Sequence, residues 1–236
     1  MKLMNLSSKE SIIVSHKGNS YSIGGIQPKI KNGDYYCKLD SPGASNGVIE
    51  ELVSNALDYI TFNGEIVDHV KYYYYTDGND TGCTCKEYKI SGEQELTLDA
   101  IMSNLNLDEL PFKDTIAKYF VCDMIFYNED RHFGNLPFLY TESYTRLAPL
   151  FDFGNALSFY GEPDYDMFKP EPFGRAQIEW ALNLSRDCSI KYSLTDFEYA
   201  VKNIELGYDD LKIKYILKKI HLCAISDFVQ SFVEVL

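Results

Sequence analysis

A cluster of charged and amide side chains interrupts an apolar part of the chain. The stretch YNEDRHFGNLPFLY, residues 127–140, places an acid, a base, an imidazole and an amide within six positions, from Asp130 to Asn135. The apolar segment IAKYFVCDMIF runs into it, and further aromatic residues follow. A solvated turn between two buried elements would explain this composition, and so would a site for a metal ion and phosphate. The five-residue spacing of Asp130 and Asn135 suits a tight loop that turns both side chains toward one point.

An aspartate between two phenylalanines is the second candidate. Asp152 lies in APLFDFGNAL, and a carboxylate among apolar residues is costly unless it is paired, hydrogen-bonded or bound to a cation. Phosphoryl transfer needs a carboxylate near the acceptor hydroxyl, plus an amide and a second carboxylate that hold Mg²⁺ against the phosphates. Asp130, Asn135 and Asp152 supply these groups. Hard oxygen ligands suit Mg²⁺, and the lack of further His and Cys clustering argues against zinc catalysis.

A lysine stands alone in a hydrophobic, strand-like segment further upstream. Lys38 in YYCKL either extends its ammonium to solvent or contacts nucleotide phosphates while a carboxylate on the next helix holds it. In VIEELVSNALDYI, residues 48–60, apolar residues recur at the spacing of one helical face. Glu50 lies on the flank of that face and Glu51 points nearly away from it. Glu50 is therefore the predicted partner of the lysine, and Glu51 is the alternative.

Paired glycines are the last candidate feature. In YSIGGIQPK, residues 21–29, Gly24 and Gly25 would let the backbone approach a ligand closely. An ordinary hairpin turn is the alternative explanation, since glycine pairs commonly mark one.

The elements that must position these clusters differ between the two ends of the chain. Before about residue 95, alternating patterns predict strands with a single helix among them; after about residue 99 the pattern becomes mostly helical. The sequence predicts strands broken by turns over 11–40, with one turn at Asn32–Asp34, then a helix at 48–60 and strands at 65–76 and 83–90. It further predicts a core helix at 116–127, short strands in 135–142 and 145–153, and helices over most of 175–236. The composition predicts an α+β fold with a β-rich lobe at 1–95, a helix-rich lobe at 96–236 and a cleft at their junction.

The overall charge excludes some classes of partner. The formal net charge is −13, so the surface repels nucleic-acid phosphates and anionic lipids unless it carries a local basic patch. The clearest such patch, KIKYILKKI at 212–220, is typical of a solvated amphipathic helix. No apolar run approaches the length of a membrane span and the N-terminus has no signal-peptide core, so we predict a cytoplasmic protein that binds neither membranes nor nucleic acid directly.

Three motifs in one order resemble those of HipA-like serine/threonine kinases. SIGGIQPK is similar to the S-x-x-G-x-Q-x-K phosphate-binding segment of that family, DRHFGN to its D-x-H-x-x-N catalytic loop, and FDFG, 17 residues after Asn135, to its metal-binding aspartate. The distantly related phosphoinositide-kinase-like enzymes share the second and third motifs, but the glycine segment separates the two families. Each motif alone is weak evidence, whereas three in order over about 130 residues are a strong signal.

The resemblance implies a role for each candidate residue. Asp130 would be the catalytic base, His132 would support the catalytic loop, and Asn135 and Asp152 would bind Mg²⁺. Lys38, with Glu50 as its partner, would contact the ATP phosphates, and the glycine segment would bind them through Gly24, Gly25 and Gln27. Autophosphorylation of Ser22 would eject the glycine loop and stop the enzyme.

The expected function is that of an ATP- and Mg²⁺-dependent protein kinase with a bilobal protein-kinase-like fold and a protein substrate. A pseudokinase that switches a partner by binding ATP is one alternative, although every polar position that the chemistry needs is present. A small-molecule or lipid kinase is the other, and the acidic chain without a membrane anchor disfavours lipid. HipA-like toxins carry an N-terminal subdomain where only about 20 residues stand here, which is typical of the compact, stand-alone branch of the family. The part that often contacts a partner antitoxin is then either missing or supplied by another chain, such as a separate antitoxin or regulatory subunit.

Overall fold

Helices and sheets alternate along the chain in the computed structural model, which describes residues 29–41, 43–76, 80–98, 100, 110–170, 174–202 and 210–236. The strands are β1 (Lys29–Asn32), β2 (Tyr35–Leu39), β3 (Ile60–Phe62), β4 (Glu65–Ile66), β5 (Tyr72–Thr76), β6 (Thr81–Lys86), β7 (Gln94–Leu96), β8 (Phe138–Tyr140), β9 (Thr145–Leu147), β10 (Ile190–Tyr192) and β11 (Glu234–Val235). The helices are α1 (Asn46–Ala56), α2 (Lys113–Ile125), α3 (Arg175–Asp187), α4 (Leu194–Lys202), α5 (Asp210–Ile225) and α6 (Asp227–Gln230), with single turns of 3-10 helix at Leu57–Tyr59 and Phe133–Asn135. This mixture confirms the predicted combination of helices and sheets. The strands predicted before residue 29 and the predicted glycine segment, with Ser22, Gly24, Gly25 and Gln27, lie outside the described residues.

The sheet that carries Lys38 is built from β1, β2, β6 and β5 in that spatial order, with antiparallel pairing throughout. The predicted turn between β1 and β2 is present, and Gly33 adopts φ +58°, a left-handed conformation that glycine reaches without steric cost. Lys38 pairs with position 29 of β1 on one side and with Cys83 of β6 on the other. The lysine therefore occupies a central strand, and its backbone position is fixed from both sides.

Helix α1 begins in direct backbone contact with this sheet. A Cβ atom at Gly47 would lie 2.3 Å from the carbonyl carbon of Gly82, and one at Gly82 would lie 2.0 Å from the carbonyl oxygen of Lys38. Only glycine fits at both positions, so the first turn of α1 approaches β6 closely at the point where β6 pairs with the end of β2. This approach brings Glu50, one turn into the helix, above Lys38.

The predicted helix over 48–60 is correct for most of its length but wrong at its end. Helix α1 stops at Ala56, a 3-10 turn follows, and Ile60 begins β3. The sequence Ile-Thr-Phe favours a strand, and Ile60 and Phe62 are both buried where β3 pairs with β10. A pairing partner 130 residues away in the chain overrides the helical periodicity of the preceding segment.

The single strand predicted over 65–76 is also wrong, because the structure divides it into β4 and β5. Between them the backbone runs along Leu150, whose N–H donates to the Asp68 carbonyl at 2.9 Å and whose carbonyl accepts from Val70 N–H at 2.9 Å. These two bonds hold the chain two residues before Asp152. The break between β4 and β5 therefore helps to fix the position of Asp152 in the predicted site.

The helical part of the chain surrounds α2, the predicted core helix. Residues Ile116 to Ile125 of α2 are nearly all buried, and Phe120 stacks on Trp180 of α3 at 6.0 Å between ring centroids. The predicted short strands appear as β8 and β9, which form a sheet with β7. The predicted helices over 175–236 are present as α3 to α6. In addition, β10 and β11 join β3 and β4 in a sheet that the sequence did not predict. Within the described ranges, no helix is long and apolar enough to cross a membrane.

Candidate active site

Lys38 lies at the centre of a buried group of ion pairs. Its ammonium nitrogen is 2.7 Å from Glu50 Oε1 and 2.6 Å from Asp152 Oδ1, and it also lies 5.0 Å from the centre of the Tyr72 ring. The Lys38 and Glu50 side chains are 9% and 1% exposed, whereas Asp152 is 28% exposed. Burial lowers the pKa of the Lys38 ammonium, but the adjacent negative charges raise it more, so that it lies well above its ordinary value. The lysine is thus charged and faces two carboxylates, one enclosed and one open to solvent.

Glu50, rather than Glu51, makes the ion pair with the lysine. Its second oxygen, Oε2, accepts a hydrogen bond from the Phe153 backbone N–H at 2.8 Å, so one carboxylate joins α1, β2 and the segment after Asp152. Glu51 is also buried, but its Oε2 has no hydrogen-bond partner among the residues that the structure describes. Burial raises the pKa of Glu51 to about 7. The two neighbouring glutamates therefore differ sharply in how their charge is compensated.

The segment from Asp152 to Asn155 is held in an uncommon backbone conformation. Asp152 has φ +66°, in the left-handed region that non-glycine residues seldom occupy and that aspartate tolerates better than most. Asn46, the first residue of α1, donates from Nδ2 to the Gly154 carbonyl at 2.9 Å and to Asn155 Oδ1 at 3.0 Å. A Cβ atom at Gly154 would lie 3.2 Å from Asn46 Cβ, so a side chain there would displace Asn46 by a few tenths of an ångström.

Asn155 connects this segment to the predicted catalytic loop. Its Nδ2 donates to Asp130 Oδ2 at 2.6 Å, and both side chains are exposed at this point. Asn135 lies on the other side of Asp130, with its Nδ2 3.5 Å from the Asp130 carbonyl oxygen and its side chain buried. Hydrogen bonds thus join Lys38 to Asp152 and join Asp130 to Asn155 and Asn135, and the short segment from Asp152 to Asn155 connects the two sets.

Arg131 anchors the same loop from inside the protein. It is fully buried, and its guanidinium donates to both carboxylate oxygens of Asp123 on α2, at distances from 2.8 to 3.2 Å. A further donor of Arg131, Nη1, reaches the carbonyl of Phe151 at 2.7 Å, and Asn128 also donates to Asp123. Arg131 therefore holds the loop and the residue before Asp152 together, and it does not face solvent.

His132 supports the loop locally. Its Nδ1 accepts a hydrogen bond from Gly134 N–H at 3.1 Å, where the chain enters the 3-10 turn Phe133–Asn135. A Cβ atom at Gly134 would lie 2.9 Å from the imidazole, so glycine lets the ring fold back over the turn. This turn sets the position of Asn135.

Comparisons with known proteins agree with this geometry at the level of fold. The sequence matches no protein-family profile and no curated protein. Among solved structures, the Helicobacter pylori proinflammatory kinase CtkA superposes with a TM-score of 0.60 at 16% identity, covering 85% of this chain and 88% of CtkA. HipA from the Shewanella oneidensis MR-1 toxin–antitoxin system, solved with HipB and operator DNA, gives 0.51 at 12% identity, covering 89% of this chain and 66% of HipA. The chain has a HipA-like kinase fold. The resemblance predicted from three short motifs is therefore confirmed.

Within this HipA-like fold, sequence reasoning missed four residues that organise the site. Asn46 and Asn155 connect α1 to Asp130, and Asp123 pairs with Arg131. The fourth, Lys219 of α5, donates from Nζ to the carbonyls of Leu157 and Phe159 at 2.6 and 2.7 Å.

Two of these four residues had a signal in the sequence. Asp123 is a charged residue in the middle of an apolar helix, and Asn155 directly follows FDFG. Asn46 and Lys219 had none, because the contacts that give them a role depend on the packing of distant segments. Lys219 lies in the basic stretch that was interpreted as a solvated helical face, but it fixes the far end of the Asp152 segment.

Proposed function

We propose that the protein is an ATP- and Mg²⁺-dependent protein kinase of the HipA-like type that transfers phosphate to serine or threonine hydroxyls. The observation that carries this proposal is the buried Lys38 ammonium, paired with both Glu50 and Asp152. In protein kinases a strand lysine held by a helix glutamate contacts the ATP phosphates, and a nearby aspartate binds the metal. Lys38, Glu50 and Asp152 match this arrangement, with a strand lysine between a helix glutamate and a partly exposed aspartate.

The residues assigned to Mg²⁺ fit the ion by their chemistry. Asp152 offers a partly exposed carboxylate, and Asn135 turns its Nδ2 toward the Asp130 carbonyl, which leaves the amide Oδ1 to act as a ligand. Both are hard oxygen donors, and Mg²⁺ in kinase sites takes one or two protein ligands together with phosphate oxygens and water. Bound there, Mg²⁺ would neutralise charge on the transferred phosphoryl group.

Asp130 is the proposed catalytic base. It is exposed, and the buried Arg131 and the His132 cap hold the loop beneath it. From this position the carboxylate would accept the proton of the attacking hydroxyl, while Lys38 orients the phosphates. Alignment of the two substrates supplies most of the rate enhancement in this class of reaction.

The glycine segment would cover the phosphates. Gly24, Gly25 and Gln27 are the proposed contacts, and Ser22 is the proposed autophosphorylation site. The register of the first sheet supports this placement, because position 29, the last of the motif, pairs directly with Lys38. The chain entering β1 therefore arrives beside the proposed phosphate lysine.

We propose two lobes, residues 1–95 and 96–236, with ATP bound between them, and a protein substrate that presents a serine or threonine. The HipA structure was solved with HipB, which supports a separate antitoxin or regulatory subunit as a further partner. Because the chain has a net charge of −13, we propose that it makes no direct contact with nucleic acid or membranes.

The proposal is tested by incubating pure protein with Mg²⁺ and γ-labelled ATP and measuring intact mass. Wild type should gain phosphate on the peptide containing Ser22, and Asp130→Asn should gain none. Asp187→Asn, which changes an exposed carboxylate at the end of α3, is the matched control and should label like wild type. Equal label on wild type and Asp130→Asn would contradict the assignment of Asp130. Absence of label together with no thermal stabilisation by ATP and Mg²⁺ would contradict nucleotide binding itself.

A further inference from the structure

Two asparagines connect helix α1 to the proposed catalytic base. Asn46 donates to Asn155 Oδ1 at 3.0 Å, and Asn155 donates to Asp130 Oδ2 at 2.6 Å. These contacts fix the direction of the Asn155 amide, since its oxygen faces a donor and its nitrogen faces a carboxylate. The Asn155 amide therefore has one favourable orientation, and its hydrogen bond to Oδ2 in turn orients the Asp130 carboxylate.

Helix α1 contributes to the site at two points on one face. Asn46 and Glu50 are four residues apart, so they lie one above the other on the helix. Glu50 holds Lys38 and the Phe153 N–H, while Asn46 holds the Gly154 carbonyl and Asn155. The contact of Gly47 with Gly82 fixes this end of the helix against the sheet. One rigid element thus sets the position of both the phosphate lysine and the base.

We propose that Asn155, held by Asn46, is a positioning residue that sets the orientation of the Asp130 carboxylate for phosphoryl transfer. This inference rests on the proposed kinase activity and adds two residues to it. Asn155 occupies Oδ2 of Asp130, so Oδ1 is the oxygen directed to the acceptor hydroxyl. Because Asp130 is exposed, its side chain would otherwise sample several rotamers. The Asn155 hydrogen bond restricts it to one of them.

The kinetic test measures self-phosphorylation by intact mass as a function of ATP concentration at fixed Mg²⁺. Asn155→Ala should lower the maximal rate about 10- to 100-fold and change the half-saturating ATP concentration by less than about threefold, because the base is misplaced while the nucleotide contacts remain. Asn155→Asp keeps the size of the side chain but replaces the donor with a carboxylate facing Asp130. It should lower the rate at least as much as Asn155→Ala.

The role of Asn46 is tested with the double variant. Asn46→Ala should lower the maximal rate, and Asn46→Ala/Asn155→Ala should be no slower than the slower single variant, since both act on Asp130 through one hydrogen bond. Asn183→Ala, which changes an exposed asparagine on α3, is the matched control and should retain the wild-type rate. If the rate losses of the two single variants multiply in the double variant, the two residues act independently and the connection through Asn155 is overturned. A wild-type rate in Asn155→Ala or Asn155→Asp would overturn the positioning role.

A spectroscopic measurement separates failure of this inference from failure of the proposed function. The side-chain amide signals of Asn155, assigned by their loss in Asn155→Ala, should shift in both Asn46→Ala and Asp130→Asn and stay in place in Asn183→Ala. Unshifted signals in either of the first two variants would overturn the connection whether or not the protein is active. Shifted signals in both variants support the hydrogen bonds themselves. If wild type nevertheless neither labels itself nor gains stability from ATP and Mg²⁺, the kinase assignment fails, and the proposed role of Asn155 in catalysis fails with it.

Discussion

Two buried groups of ion pairs lie next to each other in this protein, and they differ in exposure to solvent and in net charge. In the first, Arg131 and Asp123 are 0% and 1% exposed and match one guanidinium to one carboxylate. In the second, the Lys38 ammonium faces both Glu50 and Asp152, and the Asp152 side chain is 28% exposed. Together the two groups contain two cations and three carboxylates. The closed group is neutral and enclosed, whereas the open group has one more carboxylate than cation and a partly exposed Asp152 side chain.

Under the proposed function, the closed group serves the fold and the open group serves the chemistry. A buried ion pair gains little net stability over apolar packing, but removing one partner leaves an uncompensated buried charge. The Arg131 pair is enclosed by hydrogen bonds, including the one to the Phe151 carbonyl, and it joins α2 to the loop and to the strand-like segment before Asp152. The Lys38 group lies directly after this segment, at Asp152, where the chain becomes partly exposed to solvent. The first group is a scaffold for the second.

The largest expected effect is on stability, from breaking the closed pair. Arg131→Met removes the guanidinium at similar length and leaves Asp123 buried without its cation. We expect a loss of about 3–5 kcal/mol in the free energy of unfolding, measured by urea denaturation. The matched control is Arg186→Met on the exposed surface of α3, which should change the free energy by less than about 0.5 kcal/mol. A loss below about 1 kcal/mol for Arg131→Met would contradict the scaffold role.

The open group should show the opposite result, loss of activity without loss of stability. In Asp152→Asn the amide can still accept from Lys38, the remaining Lys38–Glu50 pair is balanced, and asparagine tolerates φ +66° at least as well as aspartate. We expect a fall of at least about 100-fold in the rate of self-phosphorylation and a change within about 1 kcal/mol in stability. Initial rates by intact mass and urea denaturation measure the two quantities. Full activity in Asp152→Asn would show that Asp152 does not bind the metal, and a large loss of stability would show that it is part of the scaffold.

The sequence predicted the open group better than the closed one, for a physical reason. The choice of Glu50 over Glu51 needed only the periodicity of one helix above one strand, and Asp130, Asn135 and Asp152 lie in short motifs. The contacts of Asn46 with Asn155 join residues 109 positions apart, so no local pattern reports them. The pairing of β3 with β10, and the break between β4 and β5 along Leu150, likewise depend on distant partners. Local periodicity and motifs were therefore enough to pick out the proposed site residues, whereas the residues that hold them in place depend on long-range packing.

Glu51 gives the smallest predicted effect and extends the comparison to a buried carboxylate that makes no ion pair within the described part of the chain. Burial raises the pKa of Glu51 from its ordinary value of 4.5 to about 7, so the folded protein binds a proton more tightly than the unfolded chain does. The resulting stabilisation is fully present below pH 4.5 and is lost as the pH rises toward 7, because the unfolded chain ionises first. The loss should be on the order of 2 kcal/mol across that window. Glu51→Gln, which cannot ionise, should remove this slope from the pH dependence of urea denaturation, while the exposed control Glu179→Gln should keep it. An unchanged slope in Glu51→Gln would mean that its charge is compensated, and the contrast with Glu50 would then have to rest on geometry alone.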